Sequence, residues 1–535
     1  MNLLQFSDIG ERHTGRALAM QAAAQPEATF IVTEDSRYSF AAANRRVNEL
    51  CGGLAALGLG RGDRVAFYMD SAPEVIFLAL AANKLGAVWV PVNTDYKGAW
   101  LLDTLARSRP QVVVTDARHA PRLAEVRAEL GCGRLVVLGE SEALPGAHSF
   151  ASLCVPGTPE PDLRGLGCSD VSAVLWTSGT TGRSKGVMQS HNVWFEAVES
   201  GNRSFGVQPD DVIYSVLPLY NSAAWVTSVF RALFAGVPLA LDPAFSVTHF
   251  WERVDHYRAT QSFTLGAMHM YLWNAPPRDD DARHCLRKLM AIPMPADVVQ
   301  PFSERFGVQL LPQGLGQSEA MMLVTNPDAE GRLAPPGSCG KPSQVLDARL
   351  VDDAGNDVPD GEPGELWIRP RIPNVIFSGY FDDPEATANA YAGEWYRTGD
   401  MLKRDAAGWM YFSDRKKDAV RLKGRNISTF EVELVARRHP AIADCAAFGV
   451  PSDVLASETE LKLDVVLKPS QSAEPGEIAR YINANAPYFF VPRYIELVDT
   501  LPYTPTNKVQ KYKLREKGVG PGAWDANRAG FKAER

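Results

Sequence analysis

Three absences bound this 535-residue chain before any motif is read. It has no apolar run long enough to cross a bilayer. Its most apolar window, VIFLALAANKLGAVWVPVN, is broken by Asn83, Lys84 and Gly86, and reads as a helix followed by a buried strand. It has no cysteine framework. Cys51, Cys132, Cys154, Cys168, Cys285, Cys339 and Cys445 are scattered, without a CxxC pair or a Cys/His cluster, which argues against a zinc site or a disulfide scaffold and fits thiols in a reducing cytoplasm. It has no basic surplus either: 55 Lys and Arg stand against 63 Asp and Glu, so a nucleic-acid partner is not expected. The opening MNLLQFSDIGERHTGRALAM carries acids and no apolar core, and does not read as a signal peptide. No stable membrane insertion is expected.

What is present is a globular composition and a length that needs more than one core, roughly two to four domains. Val47, Leu50, Cys51, Leu54 and Leu57 recur at helical spacing, and Gly58 to Gly60 can end that helix. RVAFYMD, AVWVPV and QVVVTD read as strands, separated by helices over 73–85 and 101–108. VSAVLWTS, VIYSVLPL and GVPLALD continue the pattern, which implies βαβ units and parallel sheet. After about residue 340 the runs shorten between Asp-Gly and Pro-Gly turns, with two strands joined at Ala406–Gly408. From about residue 416 the chain reads as a smaller mixed part, with a surface loop over 469–477.

The stretch LWTSGTTGRSKGV, 175–187, is the densest signal. A plain reading of such a loop is a polar turn between a strand and a helix. Its order is Gly179, Gly182, Lys185, Gly186, so it is neither GxxxxGK[ST] nor GxGxxG. The chemistry still points to phosphate: glycines let backbone N–H groups face an anion, Thr177, Ser178, Thr180 and Thr181 donate hydroxyls, and Lys185 adds a point charge.

This loop resembles the signature loop of the adenylate-forming superfamily, which includes acyl-CoA synthetases, luciferases and peptide-synthetase adenylation domains. Companion segments follow in order along nearly the whole chain. QGLGQSE (313–319) resembles the family's QGYGxTE, which implies that Gln313, Gly314, Leu315, Gly316 and Ser318 border the nucleotide and that Glu319 helps hold Mg²⁺. GELWIRP (364–370) and Gly379–Tyr380 match the next segment, and EWYRTGD (394–400) resembles GWxxTGD, with Asp400 on the ribose hydroxyls. In FSDRKKDAVRLKGRNISTFEVE, the resemblance puts Arg415 near ribose or phosphate, Lys417 at a hinge, and Gly424 on the loop that turns toward the acyl-adenylate. In LPYTPTNKVQKYKLR, Lys508 matches the catalytic lysine, with Asn507 in place of Gly and Lys511 and Lys513 close behind. The hinge, loop and tail look most like the carnitine/crotonobetaine-CoA ligase group.

The resemblance implies an α/β fold. A large N-terminal domain, 1–415, would have parallel-rich sheets with flanking helices and a small β-barrel-like part. A small mobile α+β domain, 416–535, would carry the lysine. It implies ATP, Mg²⁺ and coenzyme A, and an AMP-forming acid–thiol ligase. A stand-alone enzyme loading a carrier protein and a degraded nucleotide-binding homologue remain alternatives. A homodimer is open. The acid would meet Tyr220, Asn221, Trp225, Gly266, Met268 and Met321, an apolar set that suits a medium or large apolar acid.

Three departures stand out. Leu315 replaces a tyrosine expected against adenine, and MAIPM (290–294) replaces GGAPL. Asn221 replaces a histidine near the reacting carboxylate, so it hydrogen-bonds but does not titrate. Either the pocket varies within a subfamily or the acid is unusual.

Overall fold

Alternating apolar strands and helices give parallel sheet here because each crossover helix carries the chain back to the end of the sheet where the previous strand began. The computed structural model describes residues 3–177, 184–265, 268–415, 420–422, 425–452, 459–486, 488–503 and 509–533. Ser178, Gly179, Thr180, Thr181, Gly182, Gly266, Lys417, Gly424 and Lys508 lie outside the described residues, and so does the side chain of Arg415. No helix among the described residues is long and apolar enough to cross a membrane.

The chain packs as two compact units. The first takes the described residues within 1–178, 184–347 and 369–391. It holds two seven-stranded sheets. One runs, from edge to edge, through the strands beginning at Gln309, Lys288, Gln261, Ile213, Leu239, Thr29 and Arg37, parallel except at the last pair. The other runs through the strands beginning at His148, Leu135, Val112, Arg64, Val88, Val171 and Lys185, again parallel except at the last pair.

Helix Pro73–Lys84 is buried at every position but Glu74, which places it inside the layers rather than on them. Helices Phe40–Ala56 and His191–Phe205 share its core, where Trp89 stacks on Trp194 at 5.9 Å and on Trp225 at 4.3 Å.

Three local expectations change. VIYSVLPL forms a strand only over Ile213–Ser215. The glycine loop joins Val171–Thr177 to Lys185–Ser190, two antiparallel strands, so it closes a hairpin and does not open a helix. The surface loop at 469 ends early, since Glu474 and Glu477 form a reciprocal capping box that starts helix Pro475–Asn485.

The second unit takes the described residues within 348–368 and 392–535. It carries most of a five-stranded sheet in which Trp395–Arg404 pairs antiparallel with both Gly364–Pro370 and Met410–Arg415. A four-stranded sheet follows, ordered Ile442–Pro451, Thr459–Leu467, Tyr494–Leu497, Trp524–Asp525, with helices Thr429–Arg437 and Pro475–Asn485 on its core.

Burial forces the polar residues of the first unit into pairs. Lys84 ends its helix with no exposed side chain, donates to Asn44 at 2.6 Å and Asn48 at 2.8 Å, and meets Glu160. His13 caps helix Thr14–Ala24 by accepting from the Arg16 N–H, and its ring lies 3.9 Å from that of His191. Burial, aided by the charge of Arg16, takes His13 down to about 4, and burial takes His191 well below the usual imidazole range.

The folded pKa of His13 is therefore depressed. Below about pH 6.5 the unfolded chain binds a proton that the folded chain refuses until about pH 4, so stability falls as pH drops through that window. The expected contribution is about 3 kcal/mol. Urea midpoints of the wild type and of His13→Asn, which keeps a capping oxygen, should diverge between pH ~7 and pH ~4.5, the wild type losing more. Equal losses would remove His13 from the account.

Candidate functional site

The hairpin register sets Lys185 directly opposite Thr177, at the two ends of the glycine loop. Thr177 Oγ1 donates to the Lys185 carbonyl at 3.3 Å, and the Ser184 hydroxyl donates to the Thr177 carbonyl. The loop's stems are thus tied shut by side chains as well as by the ladder.

A second segment lies along the same strand. Phe381 N–H donates to Gly186 O at 2.7 Å, Ser378 N–H to Met188 O at 2.8 Å, and Met188 N–H to Gly379 O at 3.0 Å. Phe377 N–H donates to the Glu319 carbonyl at 2.7 Å. Tyr380, buried by this docking, receives the Lys185 ammonium over its ring at 4.5 Å and donates its hydroxyl to Glu319 Oε1 at 2.9 Å. Three stretches far apart in sequence so converge on one chain of contacts, Lys185 to Tyr380 to Glu319. Glu319 Oε2 has no hydrogen bond among the described residues, which leaves one carboxylate oxygen suited to a hard divalent cation.

The segment beside Glu319 is held just as firmly. The Gln313 carboxamide accepts from Met294 N–H at 3.2 Å and donates to Met294 O at 2.9 Å, tying 313–316 to the end of the strand Lys288–Ile292. Leu315 O accepts from Leu323 N–H at 3.0 Å, and the Gln189 side-chain amide donates to Ser318 O. A Cβ on Gly316 would overlap the Met321 carbonyl oxygen.

Met268, Met290, Ile292 and Met321 lie partly exposed on the edge of the first core, an apolar rim that suits an apolar group. Tyr220 is half-buried, and burial, with Asp95 and Tyr96 close by, raises its hydroxyl pKa. Asn221 uses its side-chain oxygen to cap the short helix Ser222–Ala224, accepting from Ala223 N–H at 3.0 Å.

Trp225 is a correction. It has no exposed surface, packs on Trp89 and Phe230, and donates its indole N–H to Leu219 O at 2.7 Å, so it belongs to the core and not to a pocket wall. His269 is likewise wholly buried, within 2.7 Å of the Pro293 carbonyl, and burial takes it down to about 4.

Asp70, Asp116 and His119 also cluster at metal-ligating distances, but their atoms are already used. Asp116 accepts from the His119 N–H and the Asp70 N–H at 2.8 Å each, and Asp70 pairs with Arg118 at 2.7 Å.

In the second unit, Asp400 is wholly buried within Trp395–Arg404 and stands in register opposite Arg415. Asp414 Oδ2 accepts from Thr429 N–H at 2.5 Å and from its hydroxyl at 2.8 Å, which caps helix Thr429–Arg437. Lys511 donates to Thr429 Oγ1 at 2.6 Å and pairs with Glu433 at 2.9 Å. It is a fixed cation and anchors the chain just after 504–508, whose flanks Tyr503 and Val509 form a β-bridge. Sequence reasoning noticed Tyr380 only as part of a motif. Its pairing with Lys185 and Glu319 has no sequence signal, since the three lie on segments separated by more than fifty residues.

With this geometry in hand, the comparisons converge. Residues 18–381 match the family model described as AMP-binding enzyme, and residues 431–508 match AMP-binding enzyme C-terminal domain. A crotonobetaine/carnitine–CoA ligase of Salmonella arizonae is 30% identical over 495 residues, covering 90% of this chain and 94% of that protein. Among solved structures, ATP-bound MatB from Rhodopseudomonas palustris superposes with a TM-score of 0.83 at 26% identity, covering 94% of this chain and 98% of that one. The anthranilate CoA ligase AuaEII, in complex with anthranoyl-AMP, shares the fold with a TM-score of 0.86 at 24% identity, covering 95% and 98%.

Gly316→Ala should destabilise the protein by about 1–3 kcal/mol, because a backbone oxygen cannot rotate away from the new methyl group. Urea unfolding against wild type measures it, and an unchanged midpoint would show that the 313–321 turn relaxes freely.

Proposed function

Because the chain belongs to the AMP-binding enzyme family, we propose that it joins a carboxylic acid to the thiol of coenzyme A in two steps. A carboxylate oxygen attacks the α-phosphorus of ATP and the bond to pyrophosphate breaks. The thiol sulfur then attacks the acyl carbonyl and AMP leaves. The observation that carries the reading is the convergence of Lys185, Tyr380 and Glu319 beside the stems of the glycine loop.

In the first step two anions must meet, so preorganised positive charge is the main requirement. Residues 177–182 and Lys185 are assigned to the departing phosphates, and Lys508 to the charge that develops between carboxylate and α-phosphate. Glu319 would hold Mg²⁺, which when bound neutralises phosphate charge. Gln313, Gly314, Leu315, Gly316 and Ser318 are assigned to the nucleotide border, and Asp400 with Arg415 to the ribose. The functional division proposed is at residue 416, with Lys417 as the pivot and Gly424 on the segment that serves the thiol step. The acid is proposed to be largely apolar and to meet Tyr220 and Asn221, on the strength of the partly exposed Met268 and Met321 on the rim of the first core.

Pyrophosphate release across diverse acids, with and without CoA, tests the reaction. Release with no acid would leave a nucleotide-binding homologue, and thioester formed on a carrier protein but not on CoA would move the acceptor. Lys508→Ala should slow adenylation by roughly 10²–10³ while sparing thioester formation from supplied acyl-AMP. Equal loss in both halves would remove that role. Tyr380→Phe, which keeps the ring under Lys185 but frees Glu319, should lower kcat/KM for ATP by roughly 10- to 100-fold. An unchanged value would make the Tyr380–Glu319 bond structural only.

A further inference from the structure

Helix Pro475–Asn485 and the chain around Trp524–Lys532 border an open groove of about 830 Å³ in the second unit. Its walls include Gly476, Arg480, Asn483, Tyr488, Trp524 and Lys532. None of these residues is assigned to acid activation. Trp524 is braced edge-on by Phe531, with ring centroids 5.8 Å apart. Gly476 lies on the floor: a Cβ there would stand in ordinary contact, 3.8 Å from Arg480 Nη1 and 3.9 Å from Trp524 Cζ2, so a guanidinium and an indole edge face the same space.

The charge of the groove is unbalanced. Arg480 and Lys532 are exposed and form no ion pair among the described residues. Among the described residues, the acids nearest in sequence are occupied: Asp525 faces Arg493 at 3.6 Å and Arg528 at 3.8 Å, and Glu477 closes the capping box. Two cations without an ion-pair partner among the described residues favour a ligand with more than one negative charge. The aromatic walls, Tyr488 and Trp524, favour a flat ring. The volume is that of a small-molecule site.

We propose that this groove binds a purine nucleotide, with the base against Trp524 and the phosphate between Arg480 and Lys532. The choice of adenine as the base rests on the ligase reading, in which AMP is released and CoA carries an adenosine 3′,5′-bisphosphate end.

Calorimetric titration of the full chain tests it with AMP and, separately, with adenosine 3′,5′-bisphosphate. Wild type should bind AMP at two equivalents, one at the activation site and one here. Arg480→Glu, an exposed change that leaves the fold intact, should weaken one equivalent by about tenfold or more. Gly476→Leu, which fills the floor from a helical position, should abolish the same one. If only the bisphosphate fills the second equivalent, the site stands and CoA is its source. If AMP binds at one equivalent that both substitutions remove, the groove stands and the ligase reading falls. An equivalent count of one that survives both substitutions, with no response to the bisphosphate, overturns the site.

Discussion

The candidate phosphate end of this protein depends on one strand, Lys185–Ser190, being hydrogen-bonded on both edges. One edge pairs with Val171–Thr177 and closes the glycine loop. The other takes the segment 377–381. Alternation along the strand then does the rest. Lys185 reaches Tyr380 and, four residues on, Gln189 reaches the Ser318 carbonyl, so cation, aromatic ring and carboxylate are set by a single backbone register. A slip of one residue would turn both side chains to the opposite face.

Around this strand, many polar side chains hold backbone rather than face solvent. Gln313 pairs with both main-chain groups of Met294, Asn221 caps a short helix, and Asp414 caps Thr429–Arg437 through Thr429. This bears on the unusual residues. Asn221 in place of an expected histidine supplies a capping oxygen, a task for which an asparagine amide is well suited. Lys511 is neutralised by Glu433 and anchors the chain just after 504–508.

Much of the fold was legible because its periods are strong. Helix Phe40–Ala56 follows one-faced apolar spacing, and Pro73–Lys84 is an apolar run of helical length that starts at a proline. Errors arose where one residue type serves two environments. Trp225 reads as a ligand-facing aromatic, yet a tryptophan whose N–H finds a carbonyl is equally at home in a core, and only packing distinguishes the two. The glycine loop reads as the entry to a helix because glycines say that the chain turns, not what it turns into.

The sequence by itself determined the chemistry available: a glycine and hydroxyl loop with its lysine, a carboxylate at 319, an acid at 400 and a lysine at 508, in an order that marks an AMP-binding enzyme. Local spacing suffices for this, since each motif is contiguous. Tertiary structure alone decided that Tyr380 links Lys185 to Glu319, that Trp225 is core, and that Arg480 and Trp524 both stand beside Gly476. Those pairings join segments that only folding brings together, through backbone ladders and packing that no spacing within a motif encodes.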